Sequence, residues 1–490
     1  MVAWRLRLPG LERREALLAA GAMALTALLA LAGVHKLGTA GLLAPVALAA
    51  LAIMLSRPLL AVCVVVGLTV LCEGPTFGIL TFTSHLYTDA YKYVTLLDLL
   101  VAIAVVAVAL DLLRNRRPVL LPRPLRFPLA LLALAMVAGA VVGHANGGGS
   151  VRYVLVSEHV LAYLLALPLA VANLRLDRAQ LKRLLGALAV LAIVKSGLGL
   201  VEVVGHYGAA VEGTATLTYY EPAANWLIMI AVLSVVAALL ARAKAPLWLL
   251  LSSPALAACL LLSYRRSFWI AAVLALALVA LLGTSSTGRR VLLQALVAVA
   301  LAIWLLGSIN FQSQLPIVKR AESLTPSKLE ANLEDRYRLD ERANVLGEIR
   351  AHPLTGLGMT IPWAATVRPL PVEHEEGRQY VHFAALWFWL KLGILGLLAY
   401  VAIILGSMAL AWQAWRATRE PLLRAFALAS LAAIAGLVAI DTTVSDTGVD
   451  PRFTVLFATQ LGILALLVRF AREEERDGDH AAALGAGQPG

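Results

Sequence analysis

The sequence predicts an all-α protein that crosses a membrane many times. Of its 490 residues, 60% are hydrophobic and only 14% are charged, and the mean hydropathy is +0.82. Apolar stretches of about 20 residues, long enough to span the hydrocarbon of a bilayer as a helix, recur from Ala16 to Val468 with polar connectors between them. This composition excludes an ordinary soluble globular protein, in which about a quarter of the residues are charged.

About fourteen spans, within a range of roughly 12 to 14, follow from these apolar stretches. Their predicted starts lie near residues 16, 41, 57, 94, 127, 153, 183, 223, 246, 267, 291, 383, 422 and 453. The first span follows a basic N-terminal segment and has the regions of a signal peptide, but further spans come directly after it. We therefore interpret it as an uncleaved first span.

Basic connectors fall on alternate sides of the predicted bundle. The arginine-rich ones are residues 114–126, 175–183, 242–244, 288–290 and 416–424. The positive-inside rule assigns this side to the cytoplasm, together with both termini. The net charge of +11 is thereby attributed to cytoplasmic loops rather than to nucleic-acid binding.

The longest polar connector, residues 309–381, lies on the opposite, outer side. A capping-box pattern at 327–330 is followed by apolar residues at helical spacing. Pro353 ends this pattern, and Gly356 and Gly358 mark a turn after it. We predict that this long loop contains one or two amphipathic helices lying over the mouth of the bundle.

Two adjacent arginines, Arg265 and Arg266, interrupt the apolar sequence at a short turn on the outer side. An arginine at mid-bilayer costs roughly 2.5–3.5 kcal/mol, so the pair needs an explanation. Either both side chains snorkel to lipid headgroups, or they bind an anionic ligand, because arginine recognises phosphate through a planar fork of donors. Since neighbouring helical residues diverge by about 100°, we expect only one of the two to face a given phosphate.

The remaining polar residues give weaker indications of chemistry. The three cysteines lie in or beside predicted spans and are interpreted as packing residues. No cluster of His, Asp or Glu has convincing ligand spacing, so we predict neither a metal nor another cofactor. In the connector 441–452, Asp441, Asp446 and Asp450 either bind sugars or belong to a solvated loop.

Three stretches, taken in order, resemble the O-antigen ligase and O-antigen polymerase superfamily of bacterial membrane glycosyltransferases. They are SYRRSFW at 263–269, RLDERANVLGEIRAHPLTGLG at 338–358 and HFAALWFWLKLGILG at 382–396. In addition, YYEPAANWLIMI at 219–230 is similar to a span start of that family that contains an asparagine. The resemblance covers about residues 215–400. Arg342, Phe383 and Lys391 stand where the family commonly has Trp, Asn and Glu, which leaves the subfamily and the acceptor open.

The resemblance implies that a glycan is transferred from undecaprenyl diphosphate to an acceptor hydroxyl on the outer face of the bacterial cytoplasmic (inner) membrane. It also implies a clamp of three arginines on the diphosphate, with His382 as the base that takes the hydroxyl proton, because histidine titrates near neutral pH. The clamp residues are Arg265, Arg266 and Arg338, and the candidates for binding or orienting the acceptor are Glu221, Asn225, Arg342 and Asp441. The expected partners are the lipid-linked donor, a glycan or lipid acceptor and membrane lipids. A chain-length regulator or flippase partner is not assigned.

This interpretation divides the chain into four parts. They are N-terminal spans at 1–214, a ligase-like core at 215–400 that includes the periplasmic loop 309–381, C-terminal spans at 401–471 and a cytoplasmic tail at 472–490. The composition of the tail is typical of disorder.

Two other classes of function stay open. Glu158 and His159 inside a span, with Arg152 just outside it, would suit a proton-coupled secondary transporter, although the sequence lacks paired helices broken by Gly or Pro. A structural subunit for polysaccharide assembly is the third class. Within the glycosyltransferase interpretation, a polymerase and a ligase differ only in the acceptor, and the sequence does not decide between them.

Overall fold

The structure is a computed structural model, and the residues it describes are almost entirely helical. They are residues 44–72, 81–91, 94–150, 152–154, 159–205, 221–283, 286, 288, 290, 294, 333–371 and 377–485. The helices are α1 (Ala44–Ser56), α2 (Pro58–Leu71), α3 (Leu96–Arg114), α4 (Arg123–Ala145), α5 (His159–Ala172), α6 (Arg178–Gly205), α7 (Pro222–Leu240), α8 (Leu247–Leu262), α9 (Arg266–Leu282), α10 (Leu333–Ala351), α11 (Ala384–Ala417), α12 (Pro421–Asp441) and α13 (Pro451–Gly485). A two-stranded antiparallel pair, β1 (Asp89–Tyr91) and β2 (Val94–Thr95), is the sheet structure in this part of the chain. The predicted all-helical class is confirmed.

Seven of these helices are long and apolar enough to cross a membrane, and α1 and α2, bent by 117° at Arg57, make an eighth if they form one span. Three more apolar helices, α5, α8 and α9, have only 14, 16 and 17 residues. Twelve of the predicted span starts lie close to the start of one of these helices. The start near residue 16 and most of the span near residue 291 lie outside the described residues, so the total of about fourteen is not confirmed.

Helices α7, α12 and α13 form the centre of the bundle. Within their apolar segments, 78%, 78% and 94% of the residues are buried, against 28% for α6. Helix α13 packs against α5 and α11, α12 packs against α9 and α7, and α4 packs along α11. On α4, Leu134, Val137 and Val141 form an exposed apolar stripe. In a bilayer such a stripe carries no penalty, because lipid tails are as apolar as the side chains.

The predicted amphipathic helix of the long loop is present as α10, and it ends two residues before Pro353. The predicted capping box at 327–330 lies outside the described residues. The predicted apolar positions are buried only in part: Tyr337 and Ile349 are buried, but Leu333 and Leu339 are exposed. The polar residues Glu341 and Asn344 are buried as well. Hydrogen bonds explain why these two polar side chains are buried. Asn344 pairs with the backbone of residues 367–368, and Glu341 bonds to His382.

The glycine turn after α10 docks into a break in α11. At Gly393, φ is +68°, which interrupts the helix. The loop supplies the missing partners, because the Leu357 N–H donates to the Leu390 carbonyl at 2.7 Å and the Ile394 N–H donates to the Leu354 carbonyl at 3.0 Å. A Cβ added to Gly356 would lie 2.4 Å from the Leu390 carbonyl oxygen, so the predicted turn serves close packing.

Gly393→Ala should lower the stability of the protein strongly. The left-handed backbone costs a residue with a Cβ about 1–3 kcal/mol, and that Cβ would lie 2.2 Å from the Leu354 carbonyl oxygen. Thermal unfolding in detergent measures the effect. Gly197→Ala in α6 is the matched control, because nothing lies within 4 Å of its added Cβ. Equal unfolding temperatures for the two variants would contradict the proposed packing.

Candidate active site

A cleft of about 310 Å³ opens between α10 and one end of the bundle. The start of α9, the start of α11 and the segment after α12 meet there. Five of the eight residues predicted for the site line this cleft: Arg265, Arg266, Arg338, Arg342 and His382. The sequence separates the first and last of them by more than a hundred residues, so the fold brings them together.

The three other predicted residues do not line the cleft and are bonded elsewhere. Glu221 accepts a hydrogen bond from Arg452, and the Asn225 amide donates to the Glu221 carbonyl at 3.1 Å. Asp441 accepts from the Tyr400 hydroxyl at 2.9 Å and from the Thr447 hydroxyl at 2.8 Å. Their predicted role with the acceptor stays a prediction, and these contacts give each of them a structural role.

His382 is held by a carboxylate that the sequence reading missed. Both oxygens of Glu341 lie within hydrogen-bond distance of His382 Nδ1, at 3.2 and 3.1 Å, and Glu341 Oε2 accepts from the His382 backbone N–H at 2.9 Å. The rings of Tyr337 and Tyr380 meet the imidazole edge to face at 5.8 and 4.9 Å. The imidazole therefore has a fixed position at the start of α11.

The arginine pair is buried in the protein. Arg266 Nη2 lies 2.5 Å from Asp335 Oδ1, and the same oxygen is 4.0 Å from Arg338 Nη1. Arg265 and Arg266 are each only 9% exposed, which argues against snorkelling to lipid headgroups. Both line the cleft, contrary to the expectation from helical geometry. The reason is local: Arg265 precedes α9 and has extended dihedral angles, φ −81° and ψ 99°, so the 100° rotation does not separate the two.

The connector after α12 is buried at residues 445–448, so the interpretation of a solvated loop is wrong for that part. Asp441, Ser445 and Asp446 are each 1% exposed. The Ser445 N–H donates to the Tyr380 hydroxyl at 3.0 Å, and the Ser445 hydroxyl donates to the Val381 carbonyl. Burial raises the pKa of Asp446 well above its usual value, and the positive charge of Arg265 opposes this shift. The connector therefore fixes the segment before His382 and places a carboxyl group near the arginine pair.

The three departures from the family pattern have partners within this fold. The Arg342 guanidinium stacks over the Phe383 ring at 5.6 Å, a cation–π contact between two of the departures at the cleft. Lys391 is fully buried and its ammonium donates to the Ile361 carbonyl at 2.5 Å, which ties α11 to the loop after α10. The fold of the cleft therefore accommodates Arg342, Phe383 and Lys391.

A second cavity, of about 370 Å³, lies between α6, α7, α8, α12 and α13. Its wall is almost wholly apolar. Among the described residues on that wall Lys182 alone is charged, and its ammonium lies 2.6 Å from Glu420. A multiply charged ligand would find little compensation there, so the cleft beside His382 is the candidate active site.

Of the residues considered for proton-coupled transport, the structure describes Arg152 and His159. Glu158 lies outside the described residues, and His159 Nε2 lies 3.5 Å from Asp98 Oδ1. The Tyr163 hydroxyl donates to the same carboxylate. This cluster sits on α3 and α5, away from the cleft.

Residues 247–401 match the family model described as O-antigen ligase. This segment contains α8, α9, α10 and the start of α11, and with them the cleft residues from Arg265 to Phe383. No curated protein matches the chain.

Proposed function

We propose that this protein transfers a glycan from undecaprenyl diphosphate to an acceptor hydroxyl, which the match of residues 247–401 to the O-antigen ligase family model supports. The observation that carries this proposal is the cleft, which combines four arginines with a histidine that is fixed by a carboxylate. The arginine cations can bind a diphosphate, and the imidazole can take the proton of a hydroxyl.

The arginines supply a site for the diphosphate of the donor. Arg265 and Arg266 stand at the start of α9, where the helix dipole also favours an anion. Arg338 approaches from α10, and its Nη1 lies 4.0 Å from the Asp335 oxygen that Arg266 also contacts. When the glycan leaves, negative charge grows on the diphosphate, and cations already in place stabilise that charge without reorganisation.

His382 supplies the base for the acceptor. In the proposed step, its ring nitrogen takes the proton from the acceptor hydroxyl while the hydroxyl oxygen forms a bond to the anomeric carbon of the donor. The bond from that carbon to the phosphate oxygen breaks, and its electron pair leaves with undecaprenyl diphosphate. The step balances without a nucleotide, a metal or a redox partner.

Transfer by the purified protein tests the proposal. The protein in lipid vesicles receives an undecaprenyl-diphosphate-linked oligosaccharide and a glycan or lipid acceptor, and the assay measures both the glycosylated acceptor and the released undecaprenyl diphosphate. We expect equal amounts of the two, also in excess chelator. Movement of a solute across the vesicle membrane without any glycan transfer would instead support the secondary transporter.

The cleft should open on the outer face of the membrane. The positive-inside rule predicts that Gly377 and Ser445 lie outside, whereas Pro118 and Gly478 lie inside. Fusions of a fluorescent reporter that folds only in the cytoplasm should therefore be bright at Pro118 and dark at Gly377. The reverse pattern would put the cleft on the cytoplasmic side and overturn the proposed location.

The glycans that accumulate in a deletion strain distinguish polymerase from ligase. Lipid-linked single repeats would indicate that chain growth has failed, which identifies a polymerase. Long lipid-linked chains that are not attached to an acceptor would indicate a ligase. In both cases the donor and the step at His382 are the same.

A further inference from the structure

We infer that Glu341 is a positioning residue for the proposed transfer: it keeps the proton of His382 on Nδ1, so that Nε2 is the atom that accepts the proton of the acceptor hydroxyl. This inference rests on the proposed function, because it assigns a role to Glu341 in that same step.

The contacts fix the tautomer. Glu341 Oε2 accepts the His382 backbone N–H at 2.9 Å. His382 Nδ1 lies 3.1 Å from the same oxygen and 3.2 Å from Oε1. An unprotonated Nδ1 would place its lone pair against two carboxylate oxygens, so Nδ1 carries the hydrogen and donates it. The other ring nitrogen, Nε2, is left with a lone pair.

The pair formed by Glu341 and His382 is buried, so water does not compete for its hydrogen bonds as it would at the surface. Glu341 is 2% exposed and His382 is 8% exposed. A buried carboxylate is expensive unless it receives hydrogen bonds, and His382 gives Glu341 donors from both its backbone and its ring. After His382 takes the hydroxyl proton, the carboxylate also stabilises the imidazolium that forms, as the carboxylate does in a catalytic triad.

Helix α10 carries Glu341 together with Asp335 and Arg338, two other charged residues of the cleft. Asp335, Arg338 and Glu341 follow one another at intervals of three residues, so they lie along one side of the helix. Tyr337 from the same helix and Tyr380 from the preceding loop pack on the imidazole, which restricts its rotation. One helix thus positions both the diphosphate clamp and the base.

Glu341→Gln tests the inference, because the amide keeps the size of the side chain but removes its charge and presents a donor. We expect kcat for transfer to fall by roughly 10²–10⁴-fold, as for loss of a positioned base, while KM for the lipid-linked donor changes by less than about threefold. Glu348→Gln is the matched control on the same helix. Its carboxylate accepts from the Ala364 N–H at 3.2 Å, so it also ties α10 to the loop, but without contact to His382.

A double-mutant comparison separates positioning from a general loss of structure. If Glu341 acts through His382, Glu341→Gln should cost less than about twofold when it is added to His382→Ala. A cost equal to that in the wild-type background, or an unchanged kcat in the single variant, would overturn the inference. If the wild-type protein transfers no glycan at all, the proposed function fails instead.

Nitrogen-15 NMR of histidine-labelled wild-type protein gives a readout that does not require a Glu341 variant to fold. The imidazole signals that disappear in His382→Gln belong to His382. We expect a protonated Nδ1 and an unprotonated Nε2 at mildly alkaline pH. The opposite tautomer would overturn the inference even if Glu341→Gln is inactive.

Discussion

His382→Gln should leave a folded, membrane-inserted protein whose transfer rate is lower by roughly 10²–10⁴-fold, the usual contribution of a positioned base. Glutamine keeps a hydrogen-bonding side chain but cannot take a proton, so it should not rescue the reaction. His382 comes just before Phe383, the residue that caps the N-terminus of α11. Because His382 is not part of the helix itself, we expect its replacement to leave α11 intact. The measurement is the initial rate of glycan transfer in vesicles, with the amount of inserted protein determined in parallel.

The control for this variant is His85→Gln, because His85 is exposed on the short 3₁₀ helix Thr81–Leu86, outside the cleft. It should keep the wild-type rate. If His382→Gln keeps most of the activity, His382 only orients the substrate, and the base must be another group. Glu221 and Asp441 lie outside the cleft wall, and His374 lies outside the described residues, so Glu341 would then be the first carboxylate to examine.

Arg265→Ala and Arg266→Ala should each lower kcat/KM for the lipid-linked donor by roughly 10- to 100-fold. A hydrogen bond to a charged group contributes about 1.5–3 kcal/mol, and each alanine removes such donors from the diphosphate. Lysine at either position should lose less, because it keeps the charge but not the planar fork. The measurement is the dependence of the transfer rate on donor concentration.

Arg266→Ala has a second consequence that needs its own control. It leaves the buried Asp335 without the guanidinium 2.5 Å away, and breaking a buried pair costs about 3–5 kcal/mol of stability. Arg266→Ala combined with Asp335→Asn should recover stability but not donor use. Arg350→Ala, at an exposed position of α10, should be neutral. Normal donor use by the double variant Arg265→Ala, Arg266→Ala would exclude the clamp.

The sequence alone was sufficient for the helical class and for most of the proposed chemistry. Long runs of Ala, Leu and Val predict membrane helices because hydropathy and length are local properties. The same reasoning identified Arg265 and Arg266, since charge inside an apolar chain is costly and therefore functional. His382 was found through the spacing of its surrounding motif.

The tertiary structure decided which polar groups meet. Glu341 and His382 are 41 residues apart, and Asp335 and Arg266 are 69 apart. No periodicity connects them, because side chains pair through space and the intervening chain can have any length. The buried face of α10 carries the carboxylates of Asp335 and Glu341 beside Tyr337, so the apolar pattern identified this face only in part. In the polar connector 441–452, Asp441 and residues 445–448 are buried, because backbone N–H and carboxyl groups there find partners such as Tyr380 and Tyr400 that only the fold supplies.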